Sequence, residues 1–128
     1  MFLVYSMEVL MMVLLQYVEF SNWLCSQPQE EVAGVTGDGS NCPLANWLKQ
    51  SRGGLRWQVG NEQAYIINDG GSLETVYWLD RILVEFVMSI DGLGQTGNGY
   101  DVPVVSYRQC VHALSLVIAK ELGIEGYA

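Results

Sequence analysis

Leu79, Ile82, Leu83, Phe86, Val87 and Ile90 recur at the i, i+3, i+4, i+7, i+8, i+11 spacing of one helical face. A stripe that apolar has to be buried, so whatever else the chain forms must supply a surface to cover it. Read outwards from the stripe, residues 72–91 (SLETVYWLDRILVEFVMSID) are expected to make a single central helix, capped by Ser72 and ended at Asp91 and Gly92. Asp80, Arg81 and Glu85 fall off the stripe, and Arg81 with Glu85 makes an i,i+4 pair in the less favourable order. The element is structural rather than catalytic.

The rest of the composition fits one compact domain, residues 1–128. Half of the 128 residues are apolar and 16% are charged, which argues against disorder and leaves little polar material for the surface. A partner surface is therefore expected. Fourteen acidic residues against six basic ones give a net charge of −8. The basic residues are scattered; only Lys49, Arg52 and Arg56 come close together, too few to neutralise a run of phosphates. Direct nucleic-acid binding is thus disfavoured, whereas a basic protein partner suits the charge. Cys25, Cys42 and Cys110 show no CxxC spacing, so they suggest neither a disulfide framework nor a zinc site, and a reduced, cytoplasmic protein is the simpler expectation.

The opening segment, MFLVYSMEVLMMVLLQYVEFSNWLC, is apolar but lacks the basic flank of a signal peptide, and Glu8, Gln16 and Glu19 interrupt it. On a helix, Glu8, Glu19, Asn22 and Ser26 gather on one side, while Met7, Leu10, Met11, Leu14, Val18 and Cys25 cover much of the other. The expectation is a helix with a wide apolar face used for core or interface, with Leu10, Met11, Leu14 and Val18 as the interface residues. Membrane association through residues 7–20 is the competing use. Met7 is an alternative start, because the pattern needs nothing from residues 1–6.

Residues 26–41 are expected as a flexible loop leading to a short helix, with Ser40 or Asn41 as cap, Pro43 in the first turn, Leu44, Ala45, Trp47 and Leu48 along it, and Lys49 and Arg52 at its end. Alternation from Leu55 to Val59, a Gly-Asn turn and the run 63–68 predict a β-hairpin. Two strands alone are marginal, so the hairpin must lie on a helix or gain a third strand. Residues 91–101 are a second flexible loop, and 102–105 can add a short strand. Ser106 and Gln109 form a capping box for a last helix burying Val111, Leu114, Val117, Ile118 and Leu122 and stopped by Gly123.

Three features bear on chemistry. Residues 92–97 spell GxGxxG, but after a helix and before a non-helical stretch, so they make a connector and not a dinucleotide site. Asp91, Asn98 and Asp101 offer oxygen ligands without the EF-hand spacing, which makes them a weak metal candidate. Cys42, before Pro43 at a helix start, would have its thiol pKa lowered by the helix dipole, and His112 is the base it would need. Against this, cysteine is a common core residue and His112 lies seventy residues later on another helix; Cys110 and His112, about 200° apart on that helix, cannot share one metal from it. Trp57, Tyr65 and Trp78 can line a ligand pocket or, more simply, supply core and interface.

The expectation is an α+β domain: about four helices packed with a β-hairpin, with room for one extra short strand. Its expected role is that of a non-catalytic acidic protein-binding module, an inhibitor, adaptor or regulatory subunit that masks a basic or nucleic-acid-binding partner surface or self-associates. No cofactor is implied. The alternatives are a small cysteine-dependent enzyme using Cys42 with His112, and a membrane-associated protein.

Overall fold

The computed structural model describes residues 14–53, 56–93 and 104–123. In chain order these form β1 (Leu14–Leu15), α1 (Tyr17–Ser26), β2 (Val32–Val35), α2 (Pro43–Arg52), β3 (Trp57–Val59), β4 (Gln63–Ile67), β5 (Leu73–Leu79), α3 (Arg81–Leu93), β6 (Val104–Ser106) and α4 (Tyr107–Leu122). The class is α+β. One sheet has the strand order β1-β5-β4-β3, and a separate two-stranded ribbon joins β2 to β6.

The predicted hairpin is present in part, with Trp57 opposite Ile66 and Val59 opposite Ala64, while Leu55, expected to begin it, lies outside the described residues. It gains its third strand from an unexpected source. Residues 72–79 do not open the central helix; they form β5, antiparallel to β4, after a turn in which the N–H of Gly71 bonds to the carbonyl of Asn68 at 2.8 Å. The reason is local. Thr75, Val76, Tyr77 and Trp78 are β-branched or aromatic and suit a pleated, half-buried surface, whereas the helical stripe begins only at Leu79. Asp80 marks the change. Its Oδ1 accepts the N–H of Leu83 at 2.7 Å and its carbonyl accepts that of Val84, so Asp80, not Ser72, starts α3.

The first apolar segment is likewise not one continuous helix. Leu14 and Leu15 pair in parallel with Trp78 and Leu79, Gln16 is extended, and α1 begins at Tyr17. This break rotates the buried face. Phe20 and Leu24 enter the core, while Val18 and Cys25, expected on the apolar side, are exposed.

Within the expected loop 26–41 lies β2, whose partner β6 is the predicted extra strand; it pairs with Val32–Val35 rather than extending the hairpin. Helix α2 forms where it was expected and buries Leu44, Ala45, Trp47 and Leu48, but its cap is Cys42; Ser40 instead donates its hydroxyl to Asp38 at 2.7 Å. The capping box of Ser106 and Gln109 is formed, and Gly123 closes α4 at φ 69°. Leu114 and Val117 are buried there, whereas Leu122, expected inside, is 58% exposed.

Phe20 locks the helices together. It is fully buried, its ring centroid 5.4 Å from Trp47 of α2 and 5.2 Å from Phe86 of α3. Each such side chain contributes roughly 1.5–3 kcal/mol through burial alone. The sheet turns Trp57, Val59, Ala64 and Leu79 towards this core, and Tyr77 stacks on Trp57 at 5.9 Å.

Candidate functional site

Cys42 sits where the sequence placed it, yet its environment is the reverse of an activating one. The Ala45 and Leu44 amides at the start of α2 do favour a thiolate, and Ala45 N lies 3.5 Å from Sγ. Burial outweighs them and, with the Asp91 carboxylate acting in the same direction, pushes the thiol up to about 11. Cys110 is pushed up to about 12 by its own burial and then by Cys42. His112 is exposed on α4, on the opposite side of that helix from the fully buried Cys110. The two members of the expected dyad thus occupy a buried and an exposed setting.

Cys42 does line a cleft of about 230 Å³, together with Gly37, Asp38, Gln58, Asn61 and Asp91. This is below the roughly 300–1,000 Å³ of ordinary small-molecule sites. Its acids are engaged in structure: Asp91 Oδ1 accepts the N–H of Gly37 at 3.0 Å, and Asp38 accepts the N–H of Ser40 at 3.0 Å. The hydrogen bonds from Ser40 hold the Asp38 carboxyl below its ordinary value. Among the described residues no group of three or more His, Cys, Asp or Glu is arranged to hold a metal ion. Asn98 and Asp101, expected beside Asp91, lie outside the described residues, as does most of the GxGxxG stretch; its first two residues, Gly92 and Leu93, end α3.

A different surface stands out on the sheet. Residues paired across neighbouring strands share a face, so Leu14 and Gln63, both opposite Trp78, lie on the same side as its indole. Gln58 and Thr75, both opposite Tyr65, continue that side, and Ile67 opposite Leu73 completes it. Leu14 is 53% exposed, Trp78 44% and Leu73 56%. The face opposite the core therefore presents Leu14, Trp78 and Leu73 to solvent among the polar Gln58, Gln63 and Thr75. Trp57 and Trp78 consequently look in opposite directions, and the imagined pocket of Trp57, Tyr65 and Trp78 is not assembled: Trp57 is core, Trp78 is surface.

Comparison with protein-family models, characterised proteins and solved structures finds no match to this chain. The surface must be read from its own chemistry. Glu62 and Asp69, in the turns that bound β4, and Glu74 on β5 are all exposed. None of them takes part in the ion pairs found among the described residues, which join Arg52 to Glu19, Arg81 to Glu121 and Arg108 to Glu30. Arg56, just before β3, is also exposed. Of the expected interface residues, Leu14 and Val18 are exposed, at 53% and 50%, and Leu10 and Met11 lie outside the described residues. Sequence reasoning missed Leu73 and the outward setting of Trp78 because it placed both in a helix. The signal was available in the strand-forming composition of residues 75–78.

No helix among the described residues is long and apolar enough to cross a membrane.

Proposed function

We propose that this chain is a non-catalytic protein-binding module that uses the open face of its sheet to cover a basic surface on another protein, in the manner of an inhibitor, adaptor or regulatory subunit. The observation that carries the reading is the row Leu14, Trp78, Gln63, where a large aromatic side chain remains 44% exposed between an exposed leucine and an amide. Large aromatics of this kind supply much of the energy of protein interfaces. The exposed acids Glu62 and Asp69, at the two ends of β4, and the net charge of −8 give the partner its sign: an apolar patch set among lysines and arginines, as on a nucleic-acid-binding surface.

The cysteine-dependent alternative has less support, because a nucleophilic thiol needs a lowered pKa and an adjacent base. Cys42 is instead pushed up to about 11. The test is binding to a panel of purified basic, nucleic-acid-binding proteins, measured by calorimetry at low and high salt. Association that weakens with salt, is lost in Trp78→Ser and displaces the nucleic acid of the bound member is the expected result. A panel with no salt-sensitive binder, or a binder indifferent to Trp78→Ser, refutes it.

A further inference from the structure

Helices α3 and α4 run antiparallel: the Arg81 guanidinium at the start of α3 meets the Glu121 carboxylate at the end of α4 at 2.9 Å. On their solvent side lies a groove of about 380 Å³, with Glu85, Met88 and Ser89 on one wall and Leu116, Val117 and Lys120 on the other. Met88 is 58% exposed and Leu116 41%. Glu85 and Lys120 enter none of the ion pairs formed among the described residues. Because the helices are antiparallel, Glu85, one turn beyond Arg81, and Lys120, adjacent to Glu121, both stand near the Arg81–Glu121 end of the groove, on opposite walls.

We propose that this groove is a self-association surface and that its occupant is the same groove of a second copy, related by a two-fold axis running along it. That axis exchanges the two walls, so Glu85 of each copy faces Lys120 of the other, and both ion pairs form together. The four helices then make an antiparallel bundle: α3 of one copy lies over α4 of the other, and each helix has antiparallel neighbours on both sides. Met88 and Leu116, further along the groove from the Arg81–Glu121 end, supply the apolar contact beside the two charge pairs. A groove with acids on both walls, or bases on both, would repel its own copy; one acid facing one base is self-complementary. This surface is separate from the open sheet face, so the two can act independently.

One acid–base pair and one exposed apolar pair from each copy make a modest contact. Dimerisation is therefore expected in the range of about 10 µM to 1 mM. Sedimentation velocity and native mass spectrometry of the full chain at about 150 mM salt, up to 1 mM protein, should show a concentration-dependent dimer. Glu85→Lys alone places two lysines opposite each other, and Lys120→Glu alone places two glutamates opposite each other; each variant should be monomeric at 1 mM. Mixed in equal amounts, the two variants should form a one-to-one heterodimer, identified by its mass. Leu116→Ser, at an exposed position, should weaken the dimer at least tenfold without altering the far-ultraviolet circular dichroism. Trp78→Ser should leave dimerisation unchanged while removing partner binding, which separates this proposal from the functional one. A wild-type monomer at 1 mM, a dimer that survives either charge reversal, a mixture that stays monomeric, or a dimer lost in Trp78→Ser would overturn it.

Discussion

Asp80 holds Tyr17 from across the fold: its Oδ2 accepts the Tyr17 N–H at 2.8 Å while its Oδ1 accepts the Leu83 N–H at 2.7 Å. One carboxylate thereby serves the first turns of both α1 and α3. The N-cap residue of α1, Gln16, makes no side-chain capping bond, so Asp80 does that work through the tertiary structure. The Asp80 N–H also bonds to the carbonyl of Leu15 at 3.0 Å, which ties β1 into the same junction. Two helix N-termini, each carrying a partial positive charge, converge on one anion.

Asp80→Ala should therefore destabilise the protein by about 2–3 kcal/mol, since one lost cap costs about 0.5–2 kcal/mol and two are lost here. Asp80→Asn keeps one acceptor oxygen and should cost about half as much. Urea unfolding, read as a shift in midpoint at constant slope, measures both. A cost for Asp80→Ala of the size of an ordinary surface substitution would contradict the double role.

Gly34→Ala is predicted to be severe for a different reason. A Cβ there would lie 2.7 Å from both the Asn41 carbonyl oxygen and the Pro43 nitrogen, and 2.8 Å from the Cys42 carbonyl carbon. All three are backbone atoms, so relief requires β2 to move off the start of α2. Overpacking of this kind costs about 1–3 kcal/mol. Gly37→Ala is the control: φ is +75° but nothing lies within 4 Å, so only the conformational cost of about 1 kcal/mol applies. Thermal midpoints of the two variants should rank in that order.

What was legible in the sequence was local. The hairpin turn, the capping box of Ser106 and Gln109, Pro43 in a first turn and Gly123 at a helix end each have a short-range cause, and each stands where expected. The failures share a non-local cause. Nothing near Leu14 announces that it pairs in parallel with Trp78, and nothing near Val35 announces Val104. Without those pairings, the apolar run ending in β1 and α1 follows a helical template, and residues 72–79 look like the approach to a stripe that begins at Leu79. The candidate site suffered in consequence. A strand puts Trp78 and Leu79 on opposite faces, whereas the helical reading gave no reason to turn Trp78 towards solvent.

The buried thiols predict a pH dependence. Cys42 at about 11 and Cys110 at about 12 stand above the ordinary thiol value of 9.0, so the unfolded chain releases these protons first as pH rises. The folded state then binds more protons than the unfolded state, and stability falls with increasing pH. The contribution is fully present below about pH 9 and is lost as pH climbs through 9 towards 11–12. Urea midpoints should be level from pH 7 to 8.5 and decline above 9, with a shallower decline in Cys42→Ala. At pH 7.5 a thiol reagent should modify the exposed Cys25 quickly, and Cys42 and Cys110 only at the rate of unfolding. Labelling of native Cys42 as fast as that of Cys25 would revive the enzymatic reading.

The two tryptophans of the sheet give the last prediction, because their positions differ in burial far more than in chemistry. Trp57 is 2% exposed and stacks on Tyr77, so Trp57→Ser removes a large buried ring and leaves a cavity, at about 3–5 kcal/mol. Trp78 is 44% exposed with its indole on the open face, and Trp78→Ser should cost about 1 kcal/mol or less. A residue selected only for folding would show the larger penalty; a residue presented to a partner is expected to show a small one in the isolated chain and a large one in the complex. Chemical denaturation of both variants beside binding to the same basic partner draws that distinction. If Trp78→Ser destabilised the chain as much as Trp57→Ser, the indole would belong to the core of this domain and the open sheet face would lose its main anchor.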